Sequence, residues 1–218
     1  MWSILRDVGR ELAGDVRMVV VRGQGRAFSA GIDLTVAQGE FVEMAGLDEE
    51  AAAARIAGYQ EAFGWLRRPD LVTVAAVQGH AIGAGFQLAL ACDLRVLADD
   101  AQLCMAEVSL GLVPDLGGTK RLVELVGYAR ALEICVTGRR LPAAEAERLG
   151  LATLVVPAAD LDSAVEDLCA AVLAGSRNAV IEIKALVAAA AGRSFPEQEA
   201  AERAAQLRRL RDLAGHGE

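Results

Sequence analysis

The chain has no surplus of positive charge. Its 22 Lys and Arg stand against 30 Asp and Glu, a net charge of −8. A phosphate-backbone partner needs clustered cations that release counterions, so nucleic-acid binding is excluded as a working class. The basic pairs Arg67-Arg68, Arg139-Arg140 and Arg208-Arg209 lie among acids and read as solvated surface. Metal-ligand cysteine spacing is also missing. Cys92, Cys104, Cys135 and Cys169 form no CxxC, and each sits in an apolar run where a reduced thiol packs as a small core residue. No cationic start leads into an apolar stretch and a small-residue cleavage site, so the expected location is the cytoplasm. The longest run without acids or bases other than His80, Leu71 to Cys92, has the length of a bilayer crossing. Gln78, Gly79, His80, Gly83, Gly85 and Gln87 interrupt it, and its β-branched first third differs from its Ala/Leu-rich last third. A buried strand, a glycine turn and a buried helix explain it better than a membrane span.

What is present is a large apolar fraction, 54% of 218 residues, enough to bury one substantial core. The chain divides into an expected α/β core over residues 1–157 and a helical region over 158–218. In the core, helical spacing runs from Trp2 to Leu12, and MVVVRG (18–23) is a short buried strand followed by the loop QGRAFSAGIDL. The Ala-rich run from Asp48 to Arg68 reads as a helix with acids early and arginines late, closed by Pro69. VTVAAV is a second strand, and QGHAIGAG is a turn into a helix at FQLALAC. DLRVLA and QLCMA are further strands, helices begin near Thr119, near Tyr128 and after Pro142, and TLVVP (153–157) is the last strand. Near-continuous apolar strands with helices between them predict a sheet covered on both faces.

Two glycine turns each present a small residue whose backbone N–H is unobstructed: Ala30 in FSAGIDL and Ala84 in IGAGFQL. An oxyanion hole needs such donors, preorganised in a dry site, and the helix behind Ala84 adds positive potential. Either turn alone is more often structural. Glu107 follows LCMA and precedes VSLGLVP, so its carboxylate is expected to be buried, which raises its pKa toward acid/base use. Asp115 follows Pro114 in a glycine-rich loop. The bland alternatives are a capped strand end for Glu107 and a turn or helix cap for Asp115.

FSAGIDL, AVQGHAIGAGFQLALACDLRV and MAEVSLGLVPDLGGTKRL, in that order and spacing, resemble the crotonase superfamily of enoyl-CoA hydratases and isomerases. The likeness runs from about Val16 through Val156, including RLPAAEAERLGLATLVVP, and is weaker in the C-terminal helices. The resemblance implies an α/β spiral of strand-strand-helix units with a C-terminal helical trimerisation region, and a homo-oligomer, trimer or hexamer. It implies an acyl-CoA thioester as substrate, amides of Ala30 and Ala84 on the thioester oxygen, and Ala30, Gly31, Ile32, Asp33, Gly83 and Gln87 along the substrate. Glu107 matches one of the two glutamates of the hydratases, and Gln87 stands where the other would be. A glutamine orients water but takes no proton, so isomerisation is expected to outweigh hydration, with Glu107 or Asp115 as base. No metal or redox cofactor is implied, coenzyme A being part of the substrate.

The resemblance also implies two further N-terminal strands, with a basic residue near the CoA phosphates, and a basic-aromatic C-terminal tail. Met1 is expected to fall inside the first helix, with the natural start upstream or a sheet edge left open, and Glu218 to end short of that tail. The rival readings are weaker. GxGxxG is incomplete because its third glycine position is Leu88, and Ser29 with His80 has no GxSxG elbow. An acyl-CoA-binding protein without turnover remains the alternative, supported by Gln87 and opposed by two carboxylates facing an apolar site, where desolvation is costly.

Overall fold

The computed structural model describes residues 2–215. The readings at Met1 and at Glu218 fall outside them. Helix α1 (Trp2–Glu11) leads to β1 (Met18–Arg22), α2 (Leu34–Ala45) and α3 (Glu49–Gly64). Next come β2 (Val72–Val77), β3 (His80–Ile82), α4 (Ala84–Ala91), β4 (Leu94–Ala98) and β5 (Gln102–Cys104). Helices α5 (Gly118–Val126) and α6 (Tyr128–Thr137) precede β6 (Arg140–Pro142), α7 (Ala143–Arg148) and β7 (Leu154–Val156). Three helices, α8 (Leu161–Ala174), α9 (Arg177–Ala190) and α10 (Phe195–Leu213), follow.

The strands sort into two sheets. One is parallel throughout, in the order β1-β2-β4-β7, with Val74 opposite Leu94 and Val96 opposite Leu154. All six residues of β2 are buried, as a central strand covered on both faces requires. The smaller sheet, β3-β5-β6, pairs β3 with β5 parallel and β5 with β6 antiparallel, and a bridge from Ser29 to Ala81 extends it toward the first glycine loop. A core built around Phe63, Phe86, Leu90 and Leu103 joins the two sheets, and a second cluster fixes Leu161 and Val165 of α8 on Val74 and Val96.

Local differences from the sequence reading have physical causes. The segment QGHAIGAG is not all turn, because His80–Ile82 forms β3 by pairing with Gln102–Cys104. Arg140–Pro142 is a strand for the same reason, and three-residue strands carry no alternation to detect. The segment after Asp33 is helical, started by the Asp33 carboxylate accepting from Thr35 N at 2.9 Å. Among the cysteines, Cys92 and Cys104 are buried, whereas Cys135 and Cys169 are half-buried, each packed at the margin of a core cluster from the inner face of its helix.

Arg95 on β4 is 4% exposed, and no acid pairs with it among the described residues. Its guanidinium donates to the carbonyls of Cys92 at 2.8 Å and Leu151 at 2.6 Å, so it sits on the C-terminal end of α4, where the helix dipole favours a cation. Burial pulls its pKa down to about 10, which leaves it charged at neutral pH. Arg95→Ala is expected to cost roughly 4 kcal/mol in urea unfolding, a cavity plus orphaned carbonyls. A loss below roughly 1 kcal/mol would show that the guanidinium does not hold that helix end.

Candidate active site

The start of α4 is fixed by Gly83. Its N–H donates to the Cys104 carbonyl at 2.7 Å, and its φ of 52° is left-handed, a conformation that glycine adopts without strain. A side chain there would also meet Glu107, since a Cβ would lie 3.4 Å from Oε1. Ala84 is therefore the first helical residue, where backbone N–H groups have no partner inside the helix. Ala30 follows Ser29, which is tied to β3 on both sides by Ser29 N to His80 O and Ile82 N to Ser29 O. Neither Ala30 N–H nor Ala84 N–H takes part in the loop and cap hydrogen bonds of the described residues.

Both alanines line one cavity of about 450 Å³, together with Gly31, Ile32, Gly83, Gln87, Glu107 and Asp115. Asp33 is apart from these. It lines a neighbouring cavity of about 700 Å³, where its exposed carboxylate caps α2 and is held below the usual carboxylate range by the Thr35 hydroxyl and N–H. The two cavities share Trp2, Gly31, Ile32, Glu40 and Tyr59.

Glu107 opens a single 3-10 turn (107–110) after β5 and is buried at 9% exposure. Its Oε1 accepts from Gln87 Nε2 at 2.7 Å, while Oε2 is buried with no hydrogen-bond partner. Burial pushes the carboxyl above the ordinary glutamate range. Its own N–H and Gln87 oppose the rise, and the charge of Asp115 adds to it. Asp115 is half-buried, and burial raises its pKa too. Its loop is anchored by Gln60 of α3, which donates to the Asp115 carbonyl at 2.7 Å.

Several wall residues had no signal in the sequence. Tyr59 of α3 donates to Glu40 of α2, and burial, with that bond, pushes the phenol up to about 12. Their helices carry no motif, and only their packing brings them to the cavity. The contact between Gln87 and the backbone at Leu116 and Gly118 was equally invisible, although the pair Gly117-Gly118 marks a loop of close approach.

Two unpartnered backbone amides and a buried carboxyl of raised pKa converge on one apolar cavity at the junction of a parallel sheet and a short cross-sheet. This defines the class of site, one able to hold an oxyanion and move a proton, and its sequence and structural relatives place its scaffold in the crotonase superfamily. The sequence profile described as enoyl-CoA hydratase/isomerase matches residues 5–211, and the chain belongs to that family. A Mycobacterium tuberculosis relative bearing the name "Probable enoyl-CoA hydratase echA8" is 40% identical over 147 residues, 67% of this chain and 54% of the relative. A Thermobifida fusca YX protein assigned as an enoyl-CoA hydratase, solved in complex with CoA, superposes with a TM-score of 0.90 at 50% identity. That match covers 99% of this chain and 84% of the other. Its complex with acetoacetyl-CoA gives a TM-score of 0.92 at 49% identity, covering 97% and 85%. The chain thus spans about half the length of the mycobacterial relative and most of the solved neighbour.

Proposed function

We propose that the chain moves a carbon-carbon double bond in an unsaturated acyl-CoA, with isomerisation outweighing hydration. The observation that carries this reading is the state of Glu107 and Gln87. One buried carboxyl has a free oxygen and a raised pKa, and the side chain beside it is an amide that takes no proton. Hydration by two cooperating bases would need a second proton acceptor at Gln87. Isomerisation needs one carboxyl that removes a proton and a partner, or the same group, that returns it.

In this mechanism the thioester oxygen accepts from the N–H groups of Ala30 and Ala84. Glu107 takes the proton from C2 of a 3-enoyl-CoA, and the C2 electron pair delocalises onto that oxygen as a dienolate. The carboxyl, or Asp115, then delivers a proton to C4 as the double bond forms between C2 and C3, so one proton is removed and one returned. The acyl group occupies the 450 Å³ cavity. The CoA portion runs toward the adjoining cavity, whose lining includes Arg6 and Arg55 beside Asp33 and Glu40. The CoA and acetoacetyl-CoA complexes of the Thermobifida fusca YX protein support a CoA thioester as ligand. The chemistry calls for no resident metal or cofactor.

Exposed Ile183, Val187, Leu207 and Leu210 on α9 and α10 support a homo-oligomer, trimer or hexamer, built on these helices. No helix among the described residues is long and apolar enough to cross a membrane. We propose a cytoplasmic location.

The test is turnover of a 3-enoyl-CoA and a 2-enoyl-CoA by the purified chain. Conversion of the first to the conjugated isomer, exceeding hydration of the second, is the expected result. Hydration in excess would overturn the preference. Binding of acyl-CoA with turnover of neither would instead support the non-catalytic reading, which the missing second glutamate favours.

Asp115 contributes to the pH profile. Its negative charge holds the Glu107 pKa up, so Asp115→Asn lowers it, and the acid limb of kcat/KM moves to lower pH. A limb that stays in place would show that Asp115 does not act on Glu107.

A further inference from the structure

Gln87 is 1% exposed on α4, and every polar atom of its side chain has a partner. Its Oε1 accepts from Leu116 N at 2.9 Å and from Gly118 N at 3.2 Å. With both lone pairs occupied, that oxygen has no capacity left for a water or a substrate hydroxyl. The orientation of the amide follows from the chemistry, because two backbone donors require the oxygen and the Glu107 carboxylate requires the NH₂. The fit is tight as well. A Cβ on Gly118 would lie 2.7 Å from Gln87 Cγ, so the loop reaches the amide only because residue 118 has no side chain.

We infer that Gln87 is a positioning residue, not a holder of water: one amide locks the Glu107 carboxyl to the loop that carries Asp115. It fixes which Glu107 oxygen is occupied and keeps the neighbouring position free of a second carboxyl. A carboxyl at residue 87 would retain the two backbone donors on one oxygen and turn its other oxygen toward Glu107 Oε1, where Nε2 now lies at 2.7 Å. Two carboxyls at that separation share a proton. The other titratable groups that bear on Glu107 are Asp115 in the loop, which raises its pKa, and the thiols of Cys104 on β5 and Cys135 on α6, themselves raised by burial and by Glu107.

The experiment is carboxyl-carbon NMR titration of glutamate-labelled protein, with the Glu107 signal assigned by its loss in Glu107→Gln. Wild type is compared with Gln87→Glu, Gln87→Met and Gly118→Ala. Gln87→Glu is expected to give a two-step curve for the pair, the steps more than about one pH unit apart and the upper one above wild type. Gln87→Met removes the donor and moves Glu107 upward. Gly118→Ala displaces the amide without removing it and moves Glu107 in the same direction, which keeps the test open if the Met variant folds poorly. A Glu107 curve unmoved in Gln87→Glu and Gly118→Ala would overturn the inference.

Only the kinetic consequence rests on the proposed isomerase reading: in Gln87→Met the acid limb of kcat/KM shifts to higher pH. The titration needs no turnover. Absence of 3-enoyl-CoA conversion in wild type therefore counts against the proposed function alone.

Discussion

Glu107→Gln is expected to lower 3-enoyl-CoA turnover by roughly two to four powers of ten while acyl-CoA binding persists, the size of a lost general acid/base. The substitution is nearly isosteric. The new side chain keeps an oxygen to accept from Gln87 Nε2, so the hydrogen bond at 2.7 Å survives and the cavity keeps its shape. What disappears is the proton acceptor. Stability separates this loss from misfolding. A carboxyl whose folded pKa is raised stabilises the fold below its unfolded pKa, and that contribution is lost as pH rises through the folded pKa. At neutral pH, above the ordinary glutamate pKa, burying this carboxyl therefore costs stability that an amide does not, and the Tm of the variant is expected at or above that of wild type. Full turnover in Glu107→Gln, measured on chain purified free of host enzymes, would leave Asp115 as the base or turnover unsupported by either.

Ala84→Pro is expected to cost roughly a hundred- to a thousandfold in turnover through the loss of one N–H. Ala84 is the first residue of α4, the helical position that tolerates proline because its N–H makes no intrahelical bond. Gly83 before it has no Cβ to clash with the proline ring. Far-ultraviolet circular dichroism and urea unfolding should therefore stay close to wild type while kcat falls. Equal losses of stability and turnover would show that the proline disturbs α4 rather than a donor to the thioester oxygen. Unchanged turnover would remove Ala84 from the mechanism.

These predictions rest on residues of unequal visibility. Ala30, Ala84, Glu107 and Asp115 stand out because glycine turns and a carboxylate flanked by apolar runs are local patterns, and the structure gathers all four on one cavity. Asp33 belongs to the same string as Ala30 yet caps α2 beside the neighbouring cavity, since an aspartate before a helix is drawn to the first free N–H groups. Gln87 is visible as a departure from a two-glutamate pattern. Its task depends on backbone atoms of Leu116 and Gly118, about thirty residues away in sequence, that no spacing rule links to it.

The α/β class, the long strands, the helical end of the chain and the residues able to bind an oxyanion or carry a proton are all legible in the order of residues. Each of these follows from side-chain type and period within one short segment. Long-range packing makes strands of His80–Ile82 and Arg140–Pro142, brings Tyr59 and Glu40 to the cavity wall, and sets Arg95 on the far end of the helix that begins at Ala84. The same packing holds one Glu107 oxygen and leaves the other unpaired. These features arise from pairing and burial between distant segments, and a carboxyl's proton affinity depends on what surrounds it rather than on its neighbours in the chain.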